Sequence, residues 1–247
     1  MCIRDSISLV LQTVLPVCFQ ARNPIKVVVK GGTDVKWSPP IDYIKNVTLP
    51  LLEKMGFKAE LSLERRGYYP TGGGIVKAVT YPSNPQPIEL VEKGKLLSVE
   101  GVSHSSSDLK KAEVAERQAR AARKIIYDSL GVEPKIKVEY CGTTCPGSGI
   151  QLWIKTRNTV IGGNALGEKG KKAEDVGKEA ALSLLGQFKK GVVDRWSADQ
   201  LIPYMALAGK SRIVASEISN HCETNMKIVE LFTGKRFIVK NNIIKVE

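Results

Sequence analysis

The 247-residue sequence predicts a mixed α/β fold. Segments with helical spacing of apolar residues alternate with short β-branched segments. Glycine- and proline-bearing turns separate them. Hydrophobic residues make up 43% of the chain, enough to bury one large core, or a core with a smaller domain beside it.

Ser6–Phe19 (SISLVLQTVLPVCF) reads as a buried helix. Gln12 and Pro16 interrupt its apolar run and no small-residue cleavage site follows, which argues against a secretion signal. The run is also too short to span a membrane. Pro24–Gly32 (PIKVVVKGG) is a β-branched strand ending in a Gly-Gly turn, and a proline-containing loop follows. Asp42–Met55 has helical periodicity and stops at Gly56. FKAELSLERRG and IVKAVTYPS alternate as strands around the glycine turn YYPTGGG. Ser83–Lys95 is polar and proline-bearing, a candidate boundary, and LLSVEGVSH is a strand after it.

The clearest helix runs from a cap at Ser107 or Asp108 to Gly131, with an apolar stripe of Ala112, Ala115, Ala119, Ala122 and Ile126. KIKVEY and IQLWIKT are strands around the loop CGTTCPGSG. VIGGNALGEKG leads into a helix from about Lys172 to Leu185. Arg195–Gly209 is one apolar helix, SRIVASEIS a strand, and Thr224 or Asn225 caps a helix ending at Gly234. A hairpin around Asn241-Asn242 closes the chain.

Lysine and arginine number 37 against 25 acidic residues, a formal net charge of +12. That excess favours a polyanionic partner, although a solvated basic surface has the same composition. The five cysteines are odd in number and scattered, which argues against a secreted disulfide framework. Cys141 and Cys145 form a lone C-x3-C pair that cannot complete a structural zinc site. A reduced chain in the cytoplasm, off the membrane, is the expectation.

Three polar clusters exceed what a simple core needs. Gly31–Tyr43 (GGTDVKWSPPIDY) and Arg65–Gly74 (RRGYYPTGGG) each read equally as structural turns or ligand loops. Their glycines let backbone N–H groups approach phosphate, and Arg65 and Arg66 could add bidentate phosphate or RNA contacts. The third cluster is His221 with Thr224 and Asn225, just ahead of a helix start where the dipole favours anions. A neutral imidazole there can attack phosphorus. The plainer reading is a satisfied histidine at a strand end. His104 reads as structural or surface.

Taken together, SISLVLQTVLP, KGGTDVKWSPPIDY, RGYYPTGGG, SADQLIPYMALAG and NHCETN resemble the RNA 3′-terminal phosphate cyclase family, in family order from Ser6 to the C-terminus. The resemblance implies four-stranded-sheet, two-helix units of the kind shared with enolpyruvyl transferases, plus a smaller inserted α/β domain. The expected division is 1–86 and 189–247 for the main body and 87–188 for the insertion. It implies that ATP and a divalent metal (Mg²⁺ or Mn²⁺) drive conversion of an RNA 3′-phosphate to a 2′,3′-cyclic phosphate. His221 is the implied nucleophile, forming an adduct with AMP, and Cys222 an incidental neighbour. Gln12, Pro39 and the run Trp196, Ser197, Ala198, Asp199 and Gln200 are the implied ATP-binding residues.

The family's glycine-rich opening motif, with its arginines and metal-binding glutamate, has no match here. MCIRD does not fit the pattern, so the chain is expected to be an N-terminally truncated member. The nearest rival is a non-catalytic relative acting in ribosomal RNA processing, which lacks the nucleophilic histidine. An enolpyruvyl transferase is a more distant rival, and the positive charge fits RNA better.

Overall fold

The computed structural model describes residues 6–247, so the MCIRD start, Cys2 included, lies outside the described residues. Helix α1 (Ile7–Cys18) is capped by Ser6, whose hydroxyl accepts from the Leu9 amide. It buries Ile7, Leu11 and Leu15 and leaves Val17 in solvent, so it is a one-faced helix rather than a fully buried one. Strand β1 (Ile25–Gly31) leads to a continuous helical stretch of α2 (Ile41–Tyr43), a π-helical turn (Ile44–Thr48) and α3 (Leu49–Lys54). Pro50 lacks the N–H of a regular helix and its ring crowds the carbonyl four residues back, which explains the wider turn before it. Strands β2 (Ala59–Arg65) and β3 (Gly74–Thr80) complete an antiparallel sheet in the order β1-β3-β2. Ile25 and Ala59 both face Thr80 across it.

The proline-bearing stretch read as a boundary contains a short strand, β4 (Glu89–Leu90). It pairs in parallel with β9 (Arg212–Val214), in a sheet completed by β10 (Phe237–Lys240) and β11 (Ile243–Val246) in the order β10-β11-β9-β4, and not with the strands that follow it in sequence. Those strands are β5 (Leu96–Ser106), β6 (Lys135–Cys141), β7 (Ser148–Thr156) and β8 (Val160–Leu166), ordered β6-β5-β7-β8. Helices α4 (Val114–Leu130) and α5 (Ala173–Lys190) pack on this sheet.

Several boundaries differ from expectation. The helix expected from Ser107 is a 3₁₀ segment up to Ala112, and α4 starts after Glu113, whose φ is +50°. That break leaves Ala112 exposed, while Ala115, Ala119, Ala122 and Ile126 form the buried stripe. β8 was not expected as a strand because Gly162 and Gly163 weaken the pattern. Both are needed: a Cβ at Gly162 would lie 2.5 Å from the Tyr43 ring, and one at Gly163 2.4 Å from the Leu184 amide nitrogen. The single apolar helix expected over 195–209 is two, α6 (Arg195–Gln200) and α7 (Ile202–Ala208), because Pro203 cannot continue the first ladder. The last helix, α8, runs Asn220–Thr233, ahead of the hairpin β10 (Phe237–Lys240) and β11 (Ile243–Val246). Asn241 takes φ +52° in that hairpin turn.

Two hydrophobic cores result. One joins α1, α2, α3 and the first sheet to Val192–Val246. Phe19, Phe57 and Tyr204 meet at its centre with ring centroids 4.9–6.0 Å apart. The other lies between the β5–β8 sheet and helices α4 and α5.

Candidate active site

Ser219, not Thr224 or Asn225, caps α8: its hydroxyl accepts from the Cys222 amide at 3.2 Å. Ser219 lies one residue ahead of the helix, where an oxygen reaches the free amides; Thr224 and Asn225 are already inside it. His221 therefore sits in the first turn rather than ahead of the helix, with an exposed side chain at the positive end of the dipole. Cys222 points the other way and is fully buried. Burial pushes its thiol up to about 12, and it faces the core while His221 faces solvent.

Asn225, one turn along α8, donates to the Asp199 carbonyl at 3.0 Å and to its carboxylate at 3.1 Å. Burial raises the Asp199 carboxyl, while the Asn225 bond and the charge of nearby His221 pull it back. Gln200 accepts from the Thr48 hydroxyl at 2.7 Å. Ser197 and Ala198 are buried. Trp196 is half-buried, edge-on to Tyr43 at 6.2 Å between centroids, with the Arg195 guanidinium 5.9 Å from its ring.

Asp194 fixes this helix. Its carboxylate accepts from the Trp196 and Ser197 amides at 3.1 and 2.9 Å, from the Gly162 amide at 2.8 Å and from the Tyr43 hydroxyl at 2.5 Å. The Tyr43 hydroxyl also lies 2.7 Å from that of Ser197. Sequence reasoning missed Asp194, Tyr43 and Thr48 as supports of the site. The Asp-x-x-Ser spacing at the start of the run was the available signal.

The structure brings Trp196–Gln200, Asn225 and His221 together. Gln12 is half-buried on α1 and Pro39 half-buried ahead of α2, and neither is hydrogen-bonded to α6 or α8 among the described residues.

The two arginines part ways. Arg65 is exposed and donates to the Gly73 carbonyl at 2.6 Å. Arg66 is buried, with Asp34, Asp42 and Glu139 at 3.2, 2.6 and 3.1 Å, so it has no surface left for an RNA phosphate. Burial alone would raise Asp34, but His104 and Arg66 hold it well below the usual carboxylate range. His104 is structural: the Tyr68 hydroxyl lies 2.8 Å from its Nδ1, and its Nε2 is 3.3 Å from Asp34, at ion-pair distance but outside hydrogen-bonding geometry. Asp34, Asp42 and His104 offer atoms within 4.8 Å of one another, yet Arg66 already sits on both carboxylates.

Among the described residues no helix is long and apolar enough to cross a membrane. A family model described as RNA 3′-terminal phosphate cyclase matches residues 2–239. The chain is 46% identical over 242 residues to the RNA 3′-terminal phosphate cyclase of Pyrococcus abyssi, covering 97% of this chain and 70% of that relative. It is 46% identical over 237 residues to the protein of the same name from Methanothermobacter thermautotrophicus, covering 95% and 69%. For the Hyperthermus butylicus protein of that name the identity is 44% over 236 residues, covering 92% and 65%. With the match running through the α6 run and the histidine of α8, the chain belongs to the RNA 3′-terminal phosphate cyclase family of enzymes.

Proposed function

We propose that the chain converts an RNA 3′-terminal phosphate to a 2′,3′-cyclic phosphate in the cytoplasm, consuming ATP. The observation that carries this reading is the exposed imidazole of His221 in the first turn of α8, beside the half-buried Asp199. Unpaired amides and the helix dipole stabilise phosphate charge there. The imidazole nitrogen attacks the α-phosphorus of ATP; a P–N bond forms as the bridging P–O bond breaks and pyrophosphate leaves. An oxygen of the RNA 3′-phosphate then takes the adenylyl group and frees the histidine. The neighbouring 2′-hydroxyl loses its proton, attacks the activated phosphorus and expels AMP.

Asp199 favours the imidazolium that departs in the second step. Trp196 offers a ring to the adenine, with Gln12 and Pro39 as further pocket residues. Ser197, Ala198 and Gln200 are buried or nearly so and act as positioning residues that hold Trp196 and Asp199 on α6. A divalent metal, Mg²⁺ or Mn²⁺, would neutralise charge on the departing pyrophosphate. The Asp34–Asp42–His104 group does not fit that metal, because Arg66 fills it.

Incubation with α-labelled ATP and magnesium or manganese tests the reading, on this chain and on a version extended to the length of its relatives. The expected result is acid-labile label on protein that His221→Ala abolishes. Folded protein of relative length that never labels, or a His221→Ala variant that labels equally, sinks the proposal. The non-catalytic branch acting in ribosomal RNA processing would then lead.

A further inference from the structure

A cleft of about 800 Å³ opens between the loop after β1, the glycine turn after β2, and the turns flanking β7 and β8. His221 and the α6 run do not line it. Three aromatics do; Tyr68 is buried, but two stand in solvent, Trp37 73% and Tyr69 72% exposed. Trp37 also holds φ at +61°, a left-handed conformation that costs a non-glycine residue free energy. The loop around it is well anchored. The Thr33 amide donates to the Gly67 carbonyl at 2.9 Å, and the Ile41 amide to the Thr33 carbonyl at 3.0 Å. Across the cleft, the Thr144 hydroxyl donates to the Gly72 carbonyl at 3.0 Å. Lys36 and Lys169 bring positive charge to a lining that also holds Glu168 and the buried Asp34. Lys36 pairs only with the half-exposed Glu168, at 3.0 Å, and Lys169 has no ion pair among the described residues.

We propose that this cleft binds single-stranded RNA leading to the reacting 3′ end, with bases stacked on Trp37 and Tyr69 and phosphates met by Lys36 and Lys169. Every base offers a π-face, so fixed, exposed rings beside lysines suit an unpaired strand of any sequence. A net charge of +12 matches a polyanion better than an apolar peptide. The proposal rests on the cyclase reading for the choice of RNA and of its end.

The test is fluorescence anisotropy of a short, labelled, 3′-phosphorylated single-stranded RNA, and of the same RNA made abasic. The proteins are the wild-type chain, Trp37→Ala, Trp37→Phe, Tyr69→Ala and, as a control on the outer side of α4, Tyr127→Ala. Trp37→Ala and Tyr69→Ala should each weaken binding about tenfold, as the loss of one base–aromatic stack does. Trp37→Phe should keep most of the affinity and Tyr127→Ala all of it. Abasic RNA should bind weakly and no longer separate wild type from Trp37→Ala. Wild-type affinity in both alanine variants overturns the proposal. So does sedimentation showing that Trp37→Ala abolishes self-association while RNA binding is unchanged, since the occupant is then a second copy. The ATP label is read on the same variants and on their versions extended to the length of the relatives. Label with Trp37-independent RNA binding sinks the cleft alone. Trp37-dependent RNA binding with no label on any extended version sinks the cyclase reading and leaves the cleft standing.

Discussion

Tyr43 donates to Asp194 and meets Ser197 with the same hydroxyl, and all three side chains are buried. Tyr43→Phe should therefore cost about 1–3 kcal/mol in a urea melt, the worth of one buried hydrogen bond to a carboxylate that keeps its amide partners. Asp199 and Asp34 should respond to pH with opposite signs. Folding raises the Asp199 carboxyl, so the native state holds its proton more tightly than the unfolded chain, and ionising it at neutral pH is destabilising. Asp199→Asn should thus stabilise the protein near pH 7, with the gain shrinking as pH falls through the raised folded value. Folding depresses Asp34, so its stabilisation is fully present above the ordinary carboxylate range near 4 and fades as pH falls through that range toward the lower folded value. Unfolding measured across acid pH for wild type, Asp199→Asn and Asp34→Asn checks both signs.

At the scale of elements, long periodic segments were legible and their interruptions were not. Helices α1, α4 and α5 and strands β1, β2 and β3 follow apolar spacing that one window of sequence contains. The two residues of β4 carry no pattern of their own, and only pairing with Arg212 and Ile213 makes them a strand. The left-handed Glu113 that splits the expected helix has no local signature either. Of the candidate site, His221 and the α6 run were singled out through the family resemblance, but the supports of α6 come from segments far apart in sequence: Tyr43 and Asp194 are 151 residues apart. Arg66 misled for the same reason, since an Arg-Arg pair beside glycines reads as a phosphate loop until Asp34, Asp42 and Glu139 close around it. Gly163 belongs to this scale too. Gly163→Ala would drive a methyl into the backbone of α5 at Leu184, and about 1–3 kcal/mol of overpacking cost should appear as a lower melting temperature.

Across the whole molecule, the two cores set what a local change can reach. The first core is assembled mainly from both ends of the described chain, with Trp153 and Val160 reaching in from the β5–β8 sheet, and the second lies between those ends in sequence. We propose that the second core is an inserted unit, with the change of sheet falling between Leu90 and Leu96. Two unfolding transitions should then be separable by calorimetry. Gly163→Ala would shift the one reported by hydrogen exchange in α5. Phe57→Ala would cost the other about 3–5 kcal/mol, through the aromatic cluster it shares with Phe19 and Tyr204. A single transition shifted equally by both variants would refute the separation.

The carboxylate of Asp194 gathers bonds from Tyr43 in the first core, Gly162 in the second and the start of α6. Seen as a sequence of events in time, that junction closes only after residues more than a hundred positions apart have met, and such long loops are slow to close. The helix carrying Asp199, and through Asn225 the mounting of His221, is thus fully held only once both ends of the described chain have met. On the proposed reading, a half-folded polypeptide has its histidine but not the setting that would make it reactive, so the chemistry waits for the fold.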